Sequence, residues 1–313
     1  MKALITRILM SPFFEAQPPV LLDIGASGQI HEKWRLLARH SIGIAFDADA
    51  RDFSAETNDP RWRKLHLFNR LLAPEATEAA QFHLTRSPHC SSSLPVDTEA
   101  LRPWAFHPLF EVERTVSLPA VDLPLVLRET GLSRIDWFKT DSQGTDLRLF
   151  TSLPQAVQAQ VLAADFEPGI IDAYRGEDKL HRLMAYMDRL PFWVSDMTIN
   201  GSQHIGVLNM QHLTALQRAY PASFYKSSPG WCEISYLNRL EAGPPSERDL
   251  LLGICFALIQ GQSGFAGELA RRGQTLYANA LFEATLRCVR GRTRLGYLRL
   301  AGNKLRSLYR RVL

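Results

Sequence analysis

A chain of 313 residues with 46% hydrophobic and 22% charged side chains has the balance of a folded globular protein, long enough for one large α/β core or two smaller ones. No apolar run approaches the roughly 20 residues that cross a bilayer, and residues 1–7 lack the apolar region and small-residue cleavage site of a secretory signal. Cys90, Cys232, Cys255 and Cys288 show no CxxC spacing, which argues against a zinc site or a disulfide framework, so a cytoplasmic protein with reduced thiols is expected.

In chain order, the apolar run 20–24, preceded by Pro18-Pro19 and closed by Gly25, predicts a buried parallel strand and a tight turn. Residues 32–40 predict a helix with Trp34, Leu37 and Ala38 inward, and 41–46 a second strand ending at Asp47. Residues 64–68 and 81–85 predict further strands, with a loop over 87–93. Asp122 and Gly131 mark the cap and the end of a helix over 121–131. A strand over 135–139 leads into Thr140-Asp141-Ser142-Gln143-Gly144, a helix over 146–153 follows, and a strand over 159–166 ends at Asp165-Phe166-Glu167. This alternation predicts a doubly wound α/β sheet with its ligand at the carboxyl ends of the strands.

Beyond the sheet core, 179–189 predicts an amphipathic helix, and 192–197 with 233–237 antiparallel edge strands. After Gly243-Pro244-Pro245 the pattern turns helical, started by Ser246 with Asp249 and broken over 261–267. We therefore expect a domain over 1–243 and a helical, basic extension over 244–313. Residues 271–313 carry eleven Lys or Arg against Glu283 alone, a local charge of +10 that leaves −6 on the rest of a chain whose net charge is +4. Leu295, Leu298, Leu305, Leu308 and Tyr309 among these arginines could form a basic amphipathic helix for an anionic membrane surface or an acidic protein partner, or simply a solvated face or an oligomer contact. No nucleic-acid motif accompanies the charge, and none is expected as a partner.

The turn Asp23-Ile24-Gly25-Ala26-Ser27-Gly28 is the first chemical signal. Glycines after a first strand let backbone approach a cofactor, and the following helix start offers N–H groups to it. Dinucleotide folds use GxGxxG there, whereas this chain reads DxGxxG, and Asp23 suits the ammonium of a methionine moiety. Asp47, about 20 residues on at the end of the second strand, suits a ribose diol. Strand-glycine-helix turns followed by an acid also occur in many other α/β proteins, so the downstream residues decide the matter. Asn69 could meet an adenine edge or be a turn residue, and Ser92 could close over the cofactor from its loop.

The block Leu118-Pro119-Ala120-Val121-Asp122-Leu123-Pro124-Leu125, followed by Ile135-Asp136-Trp137-Phe138-Lys139-Thr140-Asp141-Ser142-Gln143-Gly144, resembles the signature of FkbM-type methyltransferases, which reads V-x-x-x-L-D-x-L and then IDxxKIDxEG. The resemblance takes in the Asp23 turn, Ser91-Ser92-Ser93-Leu94, Asp165-Phe166-Glu167 and Tyr174, and covers residues 18–238. It implies a class I methyltransferase (Rossmann-like) fold, S-adenosyl-L-methionine as cofactor, and O-methylation of a hydroxyl on a sugar, glycan or specialised metabolite. One departure is plain: Ser142-Gln143 stands where the family has Val-Glu, so an expected carboxylate is an uncharged amide.

Methyl transfer to a hydroxyl needs an in-line nucleophile and a nearby base. Asp141 is the candidate base, modulated by Lys139, with helix capping as its alternative role; His204 is a second candidate in a polar loop. Asp165 and Glu167 with Asp141 could bind a divalent cation or hydrogen-bond substrate hydroxyls, and no metal ligand is assigned. Two other readings compete: a nicotinamide-dependent oxidoreductase on the same sheet, and a non-catalytic binding protein that retains the methyltransferase fold. The acceptor's identity and the oligomeric state are not written in the sequence.

Overall fold

The computed structural model describes residues 1–26, 31–49, 51 and 59–291, which fall into two compact units, 18–239 and 1–17 with 240 onward. Gly28 and the tail residues 292–313, including Leu295 to Tyr309, lie outside the described residues.

The larger unit is built on ten strands: β1 Val20–Ile24, β2 Ile42–Phe46, β3 Lys64–Phe68, β4 Leu71–Leu72, β5 Thr77–Thr85, β6 Val112–Val121, β7 Trp137–Thr140, β8 Ala163–Phe166, β9 Phe192–Ser202 and β10 Ser228–Asn238. Seven form a central sheet in the order β3-β2-β1-β7-β8-β10-β9. The first five run parallel, and β10 runs antiparallel to both β8 and β9. The other three form a small sheet, β4-β6-β5. A mostly parallel central sheet flanked by helices is thus observed, as the alternating pattern predicted. β10, expected at an edge, is interior: its partner β9 takes the edge, because a hairpin adds strands in pairs.

Parallel strands buried on both faces are nearly continuously apolar, and all five residues of β1 are buried, with Asp23 its one polar member. On one face Leu22, Ile24, Phe46, Phe138 and Phe166 pack with Leu123, Val126, Phe150, Leu183 and Met187 from the covering helices. The helix Leu123–Thr130 begins and ends as its sequence requires: Asp122 accepts a hydrogen bond from the Leu125 backbone N–H at 2.7 Å, and Gly131 is left-handed with φ +70°.

Several local expectations are corrected. Residues 32–40 form two 3₁₀ turns, Glu32–Leu36 and Ala38–His40, instead of an α-helix. The i to i+3 geometry superimposes Trp34 and Leu37 on one side, and both are buried, Trp34 edge-on to Trp137. Strand β8 starts only at Ala163: the helix Gln155–Gln158 is followed by a turn over 159–160, and 161–162 lead into the strand. The stretch 112–121 is a ten-residue strand whose alternation is masked by an exposed outer face.

The smaller unit is helical. Its helix Glu247–Ile259 is capped by Ser246, which accepts from the Asp249 N–H at 3.0 Å. The break is the left-handed Gly261 alone, and Ser263–Leu276 already continues as helix, with a third helical stretch over 280–291. Gly264 and Gly267 are therefore helix residues, not loop. The N-terminal helices Lys2–Leu9 and Pro12–Ala16 belong to this unit, where Gln17 accepts at its backbone oxygen from the Arg248 guanidinium at 3.1 Å. Among the described residues no helix is long and apolar enough to cross a membrane.

In this unit a Cβ on Gly273 would stand 2.3 Å from the fully buried Phe282 ring. Gly273→Ala is therefore expected to lower stability by about 1–3 kcal/mol through overpacking. Urea unfolding is the measurement, and an unchanged midpoint would contradict this packing.

Candidate functional site

A row of polar side chains crosses the middle of the sheet. Asp23 on β1, Lys139 on β7, Asp165 on β8 and Ser235 on β10 are register partners in turn. Lys139 Nζ lies 2.7 Å from Asp23 Oδ1, and the second Asp23 oxygen accepts from the His31 N–H at 3.0 Å. Asp165 accepts from Lys33 Nζ, the Trp137 indole and the Ser235 hydroxyl. Burial by itself would discharge Lys139, but Asp23, Asp141 and Asp165 outweigh it and drive its ammonium well above the usual lysine range. Asp23 is thus a committed ion-pair partner that does not line the cleft described next, and Asp165 is not available to complete a cation site. Among the described residues no group of three or more His, Cys, Asp or Glu side chains is arranged to hold a metal.

Where the strands end, the chain makes two adjoining hollows. The first, a cleft of about 600 Å³, lies over β1 and β2 and is lined by Gly25, Phe46, Asp47, Asp49, Leu72 and Phe82 among others. Asp47 Oδ1 accepts from the Asp49 N–H, and Asn69 donates its amide to the Asp47 carbonyl at 2.8 Å, so Asn69 shapes the turn without lining the cleft. The Gly25 and Ala26 N–H groups both donate to the Phe46 carbonyl at 3.0 Å. Gly25 is required by space as well as by its φ of +75°: a Cβ there would lie 2.1 Å from the Asp141 carbonyl oxygen. The turn that opens the cleft is pressed directly onto the residue that closes it.

One clamp in this cleft carries no sequence signal. Asp49 is gripped by Arg51 through two hydrogen bonds of 2.9 and 2.6 Å and accepts from Ser91 at 3.1 Å, 42 residues away. Burial pushes the Asp49 carboxyl up, but the Arg51 guanidinium and the Ser91 hydroxyl overcome it and hold the acid below its ordinary value.

The second hollow, of about 1050 Å³, lies beyond β7 and β8. Its walls are aromatic: Phe106 and Trp231 are nearly parallel with centroids 6.0 Å apart, and Phe110 stands edge-on to Phe106. Asp141, Glu167 and Glu177 supply its carboxyls, and among the described residues no Lys or Arg lines it. His89, Asp141 and Gln143 line both hollows and form the boundary between them.

That boundary is built tightly. Gln143 is left-handed, with φ +55°, and its backbone oxygen accepts from the Ser92 hydroxyl at 2.7 Å. Its amide nitrogen donates to Asp141 Oδ1 at 2.6 Å, and its amide oxygen lies 2.9 Å from the Tyr174 hydroxyl. Ser92, expected to close over a cofactor, is buried and instead supports this bend. Asp141 is not the helix cap: the helix Asp146–Thr151 has Thr145 at its capping position. Asp146 ties the segment down, accepting from Thr140 Oγ1 at 3.0 Å and from the backbone N–H groups of Ser142 and Glu167 at 3.0 and 2.8 Å. His204 lies elsewhere, edge-on to Trp104 and lining a separate hollow with Arg102 and His107.

Electrostatics divides the two central acids. Burial pushes Glu167 up, the charges of Asp141, Asp146 and Glu233 add to it, and its carboxyl reaches about 9. Burial raises Asp141 as well, while Lys139, the Gln143 amide and a hydrogen bond with Glu167 favour its charged form. Cys90, in the same hollow, is pushed up to about 11 by burial and is a thiol, not a nucleophilic thiolate. Sequence reasoning finds Asp141 and Tyr174 but misses Phe106, Phe110 and Trp231, whose separation along the chain leaves no local pattern.

Because the Glu167 carboxyl rises from about 4.5 to about 9 on folding, the native protein keeps a proton the unfolded chain has released. The resulting stability is fully present below pH 4.5 and is lost as pH rises through 9. Unfolding midpoints from pH 5 to pH 9 are expected to fall in the wild type and to flatten in Glu167→Gln. A steeper dependence in the variant would contradict the assignment.

Compared with protein-family models, with curated proteins and with solved structures, the chain finds no match.

Proposed function

We propose that this protein is an S-adenosyl-L-methionine-dependent O-methyltransferase, with the cleft over β1 and β2 as donor site and the aromatic hollow as acceptor site. The observation that carries the reading is the meeting of the two hollows at a single carboxylate, Asp141. A transferase that moves a group between two molecules needs two sites and one reaction point, and a base must stand where they touch.

The donor cleft suits an adenosyl group in its own chemistry. Phe46, Leu72 and Phe82 offer an apolar slot for a flat base, and Asp47 at the strand end places a carboxylate for vicinal ribose hydroxyls. When bound, the sulfonium cofactor supplies an electrophilic methyl group. Asp141, held between Lys139 and Gln143, would in its ionised form orient the acceptor hydroxyl and take its proton as the oxygen becomes the ether. Gln143 occupies the position where the resembled family has a glutamate, and its amide orients Asp141 without adding a second charge. The aromatic walls exclude water from the reaction point, which strengthens these electrostatic effects.

The sheet argues against the nicotinamide reading. A dinucleotide fold continues its order 3-2-1-4-5-6 with a parallel strand, whereas here the reversed β10 is inserted beside β8. Titration calorimetry with S-adenosylhomocysteine is expected to show binding at the donor cleft, and Asp47→Ala to weaken it at least tenfold, about 1.4 kcal/mol. Binding unaffected by Asp47→Ala, or binding of reduced nicotinamide instead, would overturn the proposal.

A further inference from the structure

The acceptor hollow is lined by three carboxyls, Asp141, Glu167 and Glu177, and by no Lys or Arg among the described residues. Glu177 is satisfied by Lys179 and by the Ala173 N–H, and Asp23 and Asp165 are paired with Lys139 and Lys33. Glu167 has no Lys or Arg bridge among the described residues, and it lines only the acceptor hollow, not the donor cleft. It faces Lys139 from β7, Asp141 just beyond that strand, Asp146 from the following helix, and Glu233 and Cys232 from β10, a surround with three acids and one lysine already committed to Asp23. The same hollow is lined by the rings of Phe106, Phe110 and Trp231, whose faces attract cations as well as apolar surface.

An anionic acceptor would be repelled by Asp141, and only a cationic one would gain from the ionisation of Glu167, which keeps its proton while no positive charge stands beside it. We infer that the acceptor carries a protonated amine beside the hydroxyl to be methylated, the amine set against Glu167 and the apolar body against Phe106 and Trp231. The proton that Glu167 holds in the free protein is the stand-in for this cation, and binding of the amine releases it. The inference rests on reading the aromatic hollow as the acceptor site. It adds a charge requirement that the methyltransferase reading does not contain.

Three probes share one phenyl ring and one hydroxyl and differ in the charge beside that hydroxyl: cationic phenylalaninol, neutral 3-phenylpropan-1-ol and anionic 3-phenyllactate. Calorimetry on the full chain at pH 7.5 is expected to rank phenylalaninol at least tenfold tighter than 3-phenylpropan-1-ol, with 3-phenyllactate weakest. Phenylalaninol binding is expected to release a proton, seen as a heat that depends on the buffer's ionisation enthalpy. Glu167→Gln is expected to abolish both the preference and the proton release, while Trp231→Leu weakens phenylalaninol and 3-phenylpropan-1-ol alike. Equal or tighter binding of 3-phenylpropan-1-ol, binding of none of the three, or a phenylalaninol preference that survives in Glu167→Gln would overturn the inference. A parallel titration with S-adenosylhomocysteine separates the two ideas, since its retention alongside any of those results removes only the amine, and its loss alone removes only the donor assignment.

Discussion

The ion pair between Asp23 and Lys139 is the interaction on which the rest of the larger unit depends. Both groups are withdrawn from water, at 1% and 15% side-chain exposure, and they join the two strands at the centre of the sheet. Removing one partner of such a pair leaves a buried uncompensated charge and costs about 3–5 kcal/mol. The pair also sets the electrostatics above it. Lys139 favours the charged form of Asp141, and Asp141 in turn raises Glu167. A chain of influence therefore runs from a structural ion pair in the sheet to the boundary between two hollows.

The same region shows how backbone geometry and electrostatics are interlocked. Gly25 lies against the Asp141 backbone, Gln143 bends into the left-handed region, and Ser92, Tyr174 and Asp146 hold that bend from three directions. A residue in a sparsely populated conformation persists only where its surroundings over-determine it, and such places concentrate at functional sites. In the proposed enzyme this rigidity would keep one carboxylate between donor and acceptor while either ligand exchanges.

Several residues that the sequence singles out by chemistry are used here for structure. Asp23 suits an ammonium, yet its two oxygens are taken by Lys139 and His31; Ser92 and Asn69 spend their polar groups on backbone carbonyls. Conversely, Ser91 and Trp231 gain their significance only from neighbours distant in sequence, Asp49 and Phe106. The proposed cofactor reading thus rests more on Asp47 and the cleft around it than on the first acid of the turn.

The strands of the central sheet and their order of appearance were legible from the sequence, because a buried parallel strand is largely apolar and ends where glycine or an acid turns the chain, whereas β4 and β6 of the small sheet were not. The runs 20–24 and 64–68 match β1 and β3 in full, and the cap at Asp122 and the stop at Gly131 were equally readable, since each depends on neighbours within one helical turn. Which strands lie side by side, and which side chains meet at their ends, was decided only by the tertiary structure. The row Asp23, Lys139, Asp165 and Ser235 joins four strands from across the unit. Nothing in local periodicity encodes that pairing: it exists because backbone hydrogen bonds bring distant strands into register, and charge then selects the partners.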